Sequence, residues 1–214
     1  MLPTVYPIVD TATLAQFDFD VVEFAAALLD GGARLLQFRH KGPFEARQIE
    51  QLHAVAALCR DMGAQLVVND RADMAKLVDA GLHIGQGDMN PAQARAIVGA
   101  AMLGLSTGNV EQMRAARSEP VDYVALGPIF ATNSKADADP AVGLTILKAC
   151  RTLTARPLVA IGGITLDNAR GVLDAGADSV AVIRGMIPGG ADRDRTWPSQ
   201  VRARMGEWLA EAGA

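Results

Sequence analysis

Eight short β-rich runs alternate with amphipathic stretches from one end of this chain to the other, and no other feature narrows its fold so far. The runs are TVYPIVD (4–10), RLLQFRH (34–40), QLVVN (65–69), LHIG (82–85), MLGLS (102–106), YVALG (123–127), PLVAIG (157–162) and SVAVIR (179–184). Between them lie helical patterns such as Ile49, Leu52, Val55, Ala56 and Cys59, whose i, i+3, i+4 spacing makes a core-facing stripe. Strands alternating with helices predict βα units on a parallel sheet. Eight such units in 214 residues match a compact (β/α)8 TIM barrel. An open doubly wound sheet is the alternative, because periodicity alone does not show closure. The barrel is preferred on strand number, and because YPIVDTAT rather than a GxGxxG turn follows strand one.

A faint repeat supports the count. DGGARLLQ (30–37), DAGLHIGQ (79–86) and DAGADSVAV (174–182) each pass from a helical stretch through glycine into a strand, at multiples of a unit of roughly 24 residues. Gly32, Gly81 and Gly176 are therefore expected to end helices in the left-handed conformation. No linker, charge block or shift of composition interrupts residues 1–214, so one domain is expected. A net charge of −4 offers no basic field to a nucleic-acid backbone, and no stretch of about 18 apolar residues could span a bilayer. MLPTVYPIVD has no basic region followed by an apolar run of signal-peptide length, so export is not expected and a cytoplasmic location is. Cys59 and Cys150 lie in helical stretches without a CxxC, as core residues in a reducing compartment would. His40, His53 and His83 are scattered without zinc-like spacing, so any metal should take oxygen ligands.

In a barrel of this kind chemistry belongs at the C-terminal ends of the strands. LLQFRHKG (35–42) shows why strand two matters: side chains alternate across a strand, so Leu35, Gln37, Arg39 and Lys41 share one face and His40 falls on the other as a structural residue. Arg is a fork donor and Lys a point charge, a combination suited to a diphosphate, although both could instead pair with acids. Strand three ends in Asn69 and Asp70, strand four in Gln86 and Asp88, strand five in Ser106 and Thr107. Asp70 reads either as the N-cap of the next helix or as a ligand. Asp88 is not needed as a cap, because Asn90 and Pro91 already supply one. Two carboxylates on adjacent strand ends suit Mg2+, which takes a few carboxylates together with phosphate oxygens. The long connection GPIFATNSKADADP adds Thr132, Ser134 and Lys135 and reads as a lid, with Asp137 and Asp139 as solvated loop residues. Gly162 and Gly163 in AIGGIT, leading into a helix near Thr165, fall where many barrels bind a phosphate between the seventh and eighth loops. The expected site thus has a cationic, metal-bearing part and a separate glycine-lined part.

QFRHK, VNDRADMA, GLHIGQGD, the strand-five serine, DYVALGPIFATNSK, AIGGI and GADSVAVI resemble, in order and spacing, the motifs of the thiamine-phosphate synthase family, from about residue 6 to residue 186. That family joins a hydroxymethylpyrimidine diphosphate to a thiazole phosphate, giving thiamine phosphate and pyrophosphate; the resemblance leaves open a carboxylated form of the thiazole phosphate as the substrate here. The resemblance implies that Gln37, Arg39, Lys41, Asn69, Ser106 and Lys135 hold the pyrimidine diphosphate. It implies that Asp70 and Asp88 bind Mg2+, and that Thr132, Ser134, Gly163, Ile183 and Arg184 lie at the thiazole phosphate. Arg39, Lys41, Lys135 and Ser106 would carry catalysis, which in the family proceeds through a pyrimidinylmethyl cation. The implied partners are these small molecules, with no nucleic acid or membrane; a homo-oligomer is compatible with the chain.

Three positions depart from the family's pattern. Ser134 stands for the usual Thr and keeps the hydroxyl, Gly108 stands where His is frequent, and Arg184 stands for the usual Ser. The related thiazole tautomerases share the fold and the IGG motif without diphosphate or metal; Asp88 in GQGD and the cationic face of strand two favour a synthase. A non-catalytic phosphate-ligand sensor on the same scaffold is the other alternative.

Overall fold

The structure is a computed structural model and describes residues 2–132, 140–189 and 196–213. Eight parallel strands close into a barrel in sequence order: β1 (Val5–Asp10), β2 (Leu35–Arg39), β3 (Gln65–Asn69), β4 (Gly81–Ile84), β5 (Leu103–Thr107), β6 (Tyr123–Leu126), β7 (Leu158–Ile161) and β8 (Ser179–Val182). Closure is made by β1 and β8, with Tyr6 opposite Ala181. The barrel expectation therefore holds over the open sheet, and each strand lies within a residue or two of its sequence-derived range.

The crossover helices are α1 (Thr11–Gln16), α2 (Val21–Asp30), α3 (Ala46–Asp61), α4 (Ala72–Leu77), α5 (Pro91–Val98), α6 (Val110–Ala115), α7 (Gly143–Leu153) and α8 (Leu166–Asp174), followed by α9 (Trp197–Ala212). Alternation along the strands divides the apolar residues into two cores. Tyr6, Ile8, Leu35, Val67, Tyr123 and Val159 fill the barrel, while Leu36, Phe38 and Val68 face the helices and meet Leu52, Val55 and Cys59 of α3. The parity of β2 is the one its sequence requires.

The repeated units share a device at the base of the barrel. Asp122 accepts from the Leu103 amide and from Arg95, each at 2.7 Å, and Asp178 accepts from the Leu158 amide and from Arg151 at 2.8 and 2.7 Å. Each aspartate ties the start of its own strand to the preceding strand and helix, satisfying an edge amide that helix packing would otherwise bury. The repeated glycines are less uniform than the sequence implies. Gly32 and Gly176 take positive φ (105° and 107°), but Gly81 is the first residue of β4 and Asp79 takes the positive φ (53°) before it. Gly81 is required by proximity: a Cβ there would stand 2.8 Å from the Met102 carbonyl.

α9 closes the ring against α2. Trp197 stacks on Phe19 (4.3 Å between centroids), and the Trp208 indole donates to the Gly185 carbonyl at 3.0 Å, which fixes the loop after β8. Among the described residues no helix is long and apolar enough to cross a membrane.

Candidate active site

At the C-terminal end of the barrel a cavity of about 640 Å³ is bounded by the turns after most of the strands. A pocket of this size admits a small-molecule ligand. Arg39, Lys41, Asn69, Asp70, Asp88 and Ser106 stand on one side of it, and Thr132, Gly163, Ile183 and Arg184 on the other. Ser134 and Lys135 lie outside the described residues, as do Asp137 and Asp139. Gln37 sits one layer deeper, lining a cavity of about 30 Å³ beneath the first, where its amide Nε2 donates to the Tyr6 hydroxyl at 3.0 Å. It is a floor residue, separated from the rim by one turn of the strand's alternation.

Both cations of strand two are paired with acids. The Arg39 guanidinium meets Asp10 at the end of β1, its register neighbour, and both are almost wholly buried. Asp10 also accepts from the Thr13 amide at 2.8 Å, so one carboxylate caps α1 and anchors the arginine. Lys41 meets Asp70 with about half of its side chain exposed. Each pair still leaves donors unspent, because guanidinium carries five N–H groups and ammonium three. Asn69 adds a buried donor, Nδ2, with no hydrogen-bond partner.

Asp70 does not cap α4, whose N-cap position is Arg71 with no side-chain bond. Its backbone instead takes positive φ (64°), a conformation an aspartate tolerates, and its amide extends the ladder to the His83 carbonyl at 2.8 Å. That twist aims the carboxyl across the rim toward Asp88. Asp88 is folded back over its own strand, accepting from the Gly85 amide at 2.7 Å, while Asn90 caps α5 with Pro91 in its first turn, as the sequence implies.

The two carboxyls perturb one another. Burial raises the Asp70 carboxyl above the usual range, Lys41 opposes this, and the neighbouring Asp88 adds to it. Asp88 is also penalised by burial, but the Gly85 amide, the hydrogen bond with Asp70, Lys41 and His83 together hold it below the usual range. Two carboxyls this close favour either a shared proton or a cation between them. Their oxygens and charge fit a magnesium ion. Among the described residues no group of three or more His, Cys, Asp or Glu gathers to hold a metal; a magnesium ion held by few carboxylates takes other ligands from phosphate oxygens and water.

The glycine-lined end has a structural reason beside any ligand. Gly162 and Gly163 both take positive φ (99° and 64°), and a Cβ at Gly163 would lie 2.6 Å from the Ala131 carbonyl. The turn after β7 thus supports the turn after β6, and only glycine allows both. Asn168 in the first turn of α8 bonds the Thr165 amide (2.8 Å) and the Gly163 carbonyl (3.1 Å), holding the backbone at this end. Arg184 is exposed, and its guanidinium donates to Gln16 Oε1 at 2.5 Å, bridging the loop after β8 to α1. At Gly108 the amide donates to Gln112 Oε1 at 2.6 Å, so Gln112 occupies the wall beside that position.

Sequence reasoning missed Asp10 and His83. His83 lacks zinc-like spacing in the sequence, yet it lies in β4 directly opposite Asn69 and lines both cavities. Its Nε2 lies 2.8 Å from Ser106 Oγ and its Nδ1 2.9 Å from the Tyr123 hydroxyl. Alternation along TVYPIVD and GLHIG would have placed both Asp10 and His83 inward. His40 bonds Thr11 Oγ1 (2.7 Å) and the Pro43 carbonyl (3.1 Å) on the outer side, in the structural role expected of it.

Residues 5–186 match the family model described as thiamine monophosphate synthase. The chain is 47% identical to a thiamine-phosphate synthase of Koribacter versatilis over 87% of this chain and 90% of that protein. It is 45% identical to one of Moorella thermoacetica, over 80% and 82%. Among solved structures it resembles a thiamine phosphate pyrophosphorylase from Pyrococcus furiosus, with a TM-score of 0.83 and 31% identity over 98% of this chain and 95% of that one.

Proposed function

The chain belongs to the thiamine monophosphate synthase family and is a transferase that carries out that family's condensation, and on this premise we propose which residues hold each reactant. The relatives are synthases, which favours the synthase over a tautomerase or a sensor. The substrates in this reading are a pyrimidinylmethyl diphosphate and a thiazole phosphate. The observation that supports their placement is a single cavity with cations, a buried amide donor and two mutually perturbing carboxyls on one side, and a helix-entering double glycine on the other.

Lys41, the unspent N–H groups of Arg39, and Lys135 from the connection after β6 bind the diphosphate. Asn69 supplies its unpaired Nδ2 and Ser106 its hydroxyl; Gln37 sets the floor on which the pyrimidine rests. Asp70 and Asp88 hold Mg2+, which when bound supplies positive charge to the leaving pyrophosphate. The backbone at Gly163 and Ile183, with Thr132, Ser134 and Arg184, binds the thiazole phosphate.

Breaking the C–O bond before the new C–N bond forms places positive charge on the pyrimidinylmethyl carbon and negative charge on the departing oxygen. The residues here act on the second of these. Cationic and neutral donors fixed by the barrel cost no reorganisation as the charge develops, and they are worth more where walls exclude water. Anchoring both phosphates at opposite ends brings the thiazole nitrogen to the carbon in line, which replaces a bimolecular encounter by a held geometry. General-base catalysis has little to do in such a step, in keeping with a rim poor in histidine.

The test is to supply the pyrimidine diphosphate, thiazole phosphate and Mg2+ and to measure thiamine phosphate and pyrophosphate together. Stoichiometric formation of both supports the reading. Folded protein that binds the diphosphate but yields no coupled product refutes it.

A further inference from the structure

A continuous chain of hydrogen bonds crosses the barrel beneath the proposed substrate cavity. It runs from Gln37 Nε2 to the Tyr6 hydroxyl (3.0 Å), from there to the Tyr123 hydroxyl (3.2 Å), on to His83 Nδ1 (2.9 Å), and from His83 Nε2 to Ser106 Oγ (2.8 Å). Four strands contribute in addition to β1, and the last member, Ser106, lines the large cavity.

The donor inventory gives this chain a direction. An amide NH2 can only donate, so the Tyr6 oxygen accepts from Gln37; the Tyr6 phenol is buried, and the acceptor that its own proton reaches is the Tyr123 oxygen. Tyr123 must then donate to His83 Nδ1, which requires that nitrogen to be bare. In the neutral imidazole the single proton therefore sits on Nε2 and is donated to Ser106 Oγ. With that oxygen accepting, the serine proton turns away from His83 and into the cavity.

Two features keep Tyr123 at this task. Gly104, its register partner on β5, leaves room for the ring: a Cβ there would lie 2.0 Å from Tyr123 Cζ. The phenol is completely enclosed, and burial, with Tyr6 and Asp122 adding to it, pushes it well above its ordinary value, so it keeps its proton at any working pH.

We propose that Tyr123 is a positioning residue for the condensation: its hydroxyl holds His83 in the Nε2–H tautomer and thereby presents the Ser106 hydroxyl to the substrate as a donor. This rests on the reading of Ser106 as a substrate contact. It adds what that reading lacks, a reason for a serine hydroxyl, free to rotate, to behave as a fixed donor. Preorganisation of this kind lowers the barrier because the dipole already points where charge will develop.

The tautomer can be read directly by nitrogen-15 NMR of the imidazoles, since the chain has three histidines and a His83→Gln spectrum assigns the resonances of His83 by subtraction. In the wild-type protein the proton is expected on Nε2 alone. In Tyr123→Phe, which keeps the ring over Gly104, both tautomers are expected. Turnover should fall roughly tenfold, less than the 10²–10³ lost when such a donor is removed outright, with the Michaelis constant for thiazole phosphate unchanged. A wild-type proton on Nδ1, a Tyr123→Phe spectrum still showing only Nε2–H, or unaltered turnover despite a shifted tautomer would each overturn the proposal. The wild-type spectrum stands whether or not the variant folds. Ser106→Ala separates the two readings: normal coupling by that variant would remove the serine from the substrate site without touching the tautomer result.

Discussion

Replacing Asp10 by Asn keeps the shape of the most deeply buried ion pair in the site and removes its charge. Asp10 and Arg39 are 3% and 8% exposed, so neither gains much from water when the other is lost. Removing one partner of a buried pair costs about 3–5 kcal/mol, mostly as the penalty on the charge left behind. Arg39 also borders the large cavity, and solvent there can take up part of its charge, which moves the expectation to the lower end, about 3 kcal/mol. The amide oxygen of Asn still accepts from the Thr13 amide, so the cap on α1 survives; Asp10→Ala forfeits it as well, at about 1 kcal/mol more. For a chain of this length 3 kcal/mol corresponds to a fall in melting temperature of about 6–12 °C. Urea titration gives the free energy, and the cycle with Arg39→Gln gives the coupling. In Arg39→Gln/Asp10→Asn both charges are gone, and the double variant should be more stable than the sum of the single losses predicts, by at least 1 kcal/mol. A single-variant cost below about 0.5 kcal/mol, or strict additivity, would refute the view that Asp10 holds the arginine in place.

Other outcomes follow from the same geometry. Asp88→Asn should raise the Mg2+ concentration needed for half-maximal turnover by about tenfold or more, and identical magnesium titrations for variant and wild type would remove Asp88 from the proposed metal site. Gly163→Ala combines a positive φ with a Cβ placed 2.6 Å from the Ala131 carbonyl, so a stability loss of about 1–3 kcal/mol is expected, together with a raised Michaelis constant for thiazole phosphate; calorimetry and steady-state kinetics check the two halves. Burial pushes the Cys59 thiol up to about 11 and raises that of Cys150, so at pH 8 neither carries appreciable thiolate. A thiol reagent should therefore leave the native protein unlabelled and modify both residues once urea unfolds it.

Much of this molecule was legible because its signals are local. Strand runs, helical stripes and the parity of β2 depend on residues within one element, and each recurs in the barrel as the alternation requires. Asn90 and Pro91 announced the start of α5, and the strand ends named most of the rim. Arg39 shows the limit. Its position and direction follow from parity, but its partner Asp10 lies in another strand, and whether its charge meets a carboxylate or a phosphate depends on how the two strands are staggered. Gln37 has the same parity as Arg39 and a different fate, because two residues along a tilted strand separate the rim from the floor.

The amino-acid sequence by itself determined the eight βα units, the faces of their strands and the end of the barrel where polar groups collect, since periods of 2 and 3.6 are written into consecutive residues. Only the tertiary structure decided which distant residues meet: Asp10 with Arg39, Lys41 with Asp70, and the line from Gln37 through Tyr6, Tyr123 and His83 to Ser106. Those pairings depend on closure and on the stagger between neighbouring strands, and ring closure brings residues more than a hundred positions apart, such as Tyr6 and Tyr123, into hydrogen-bonding distance.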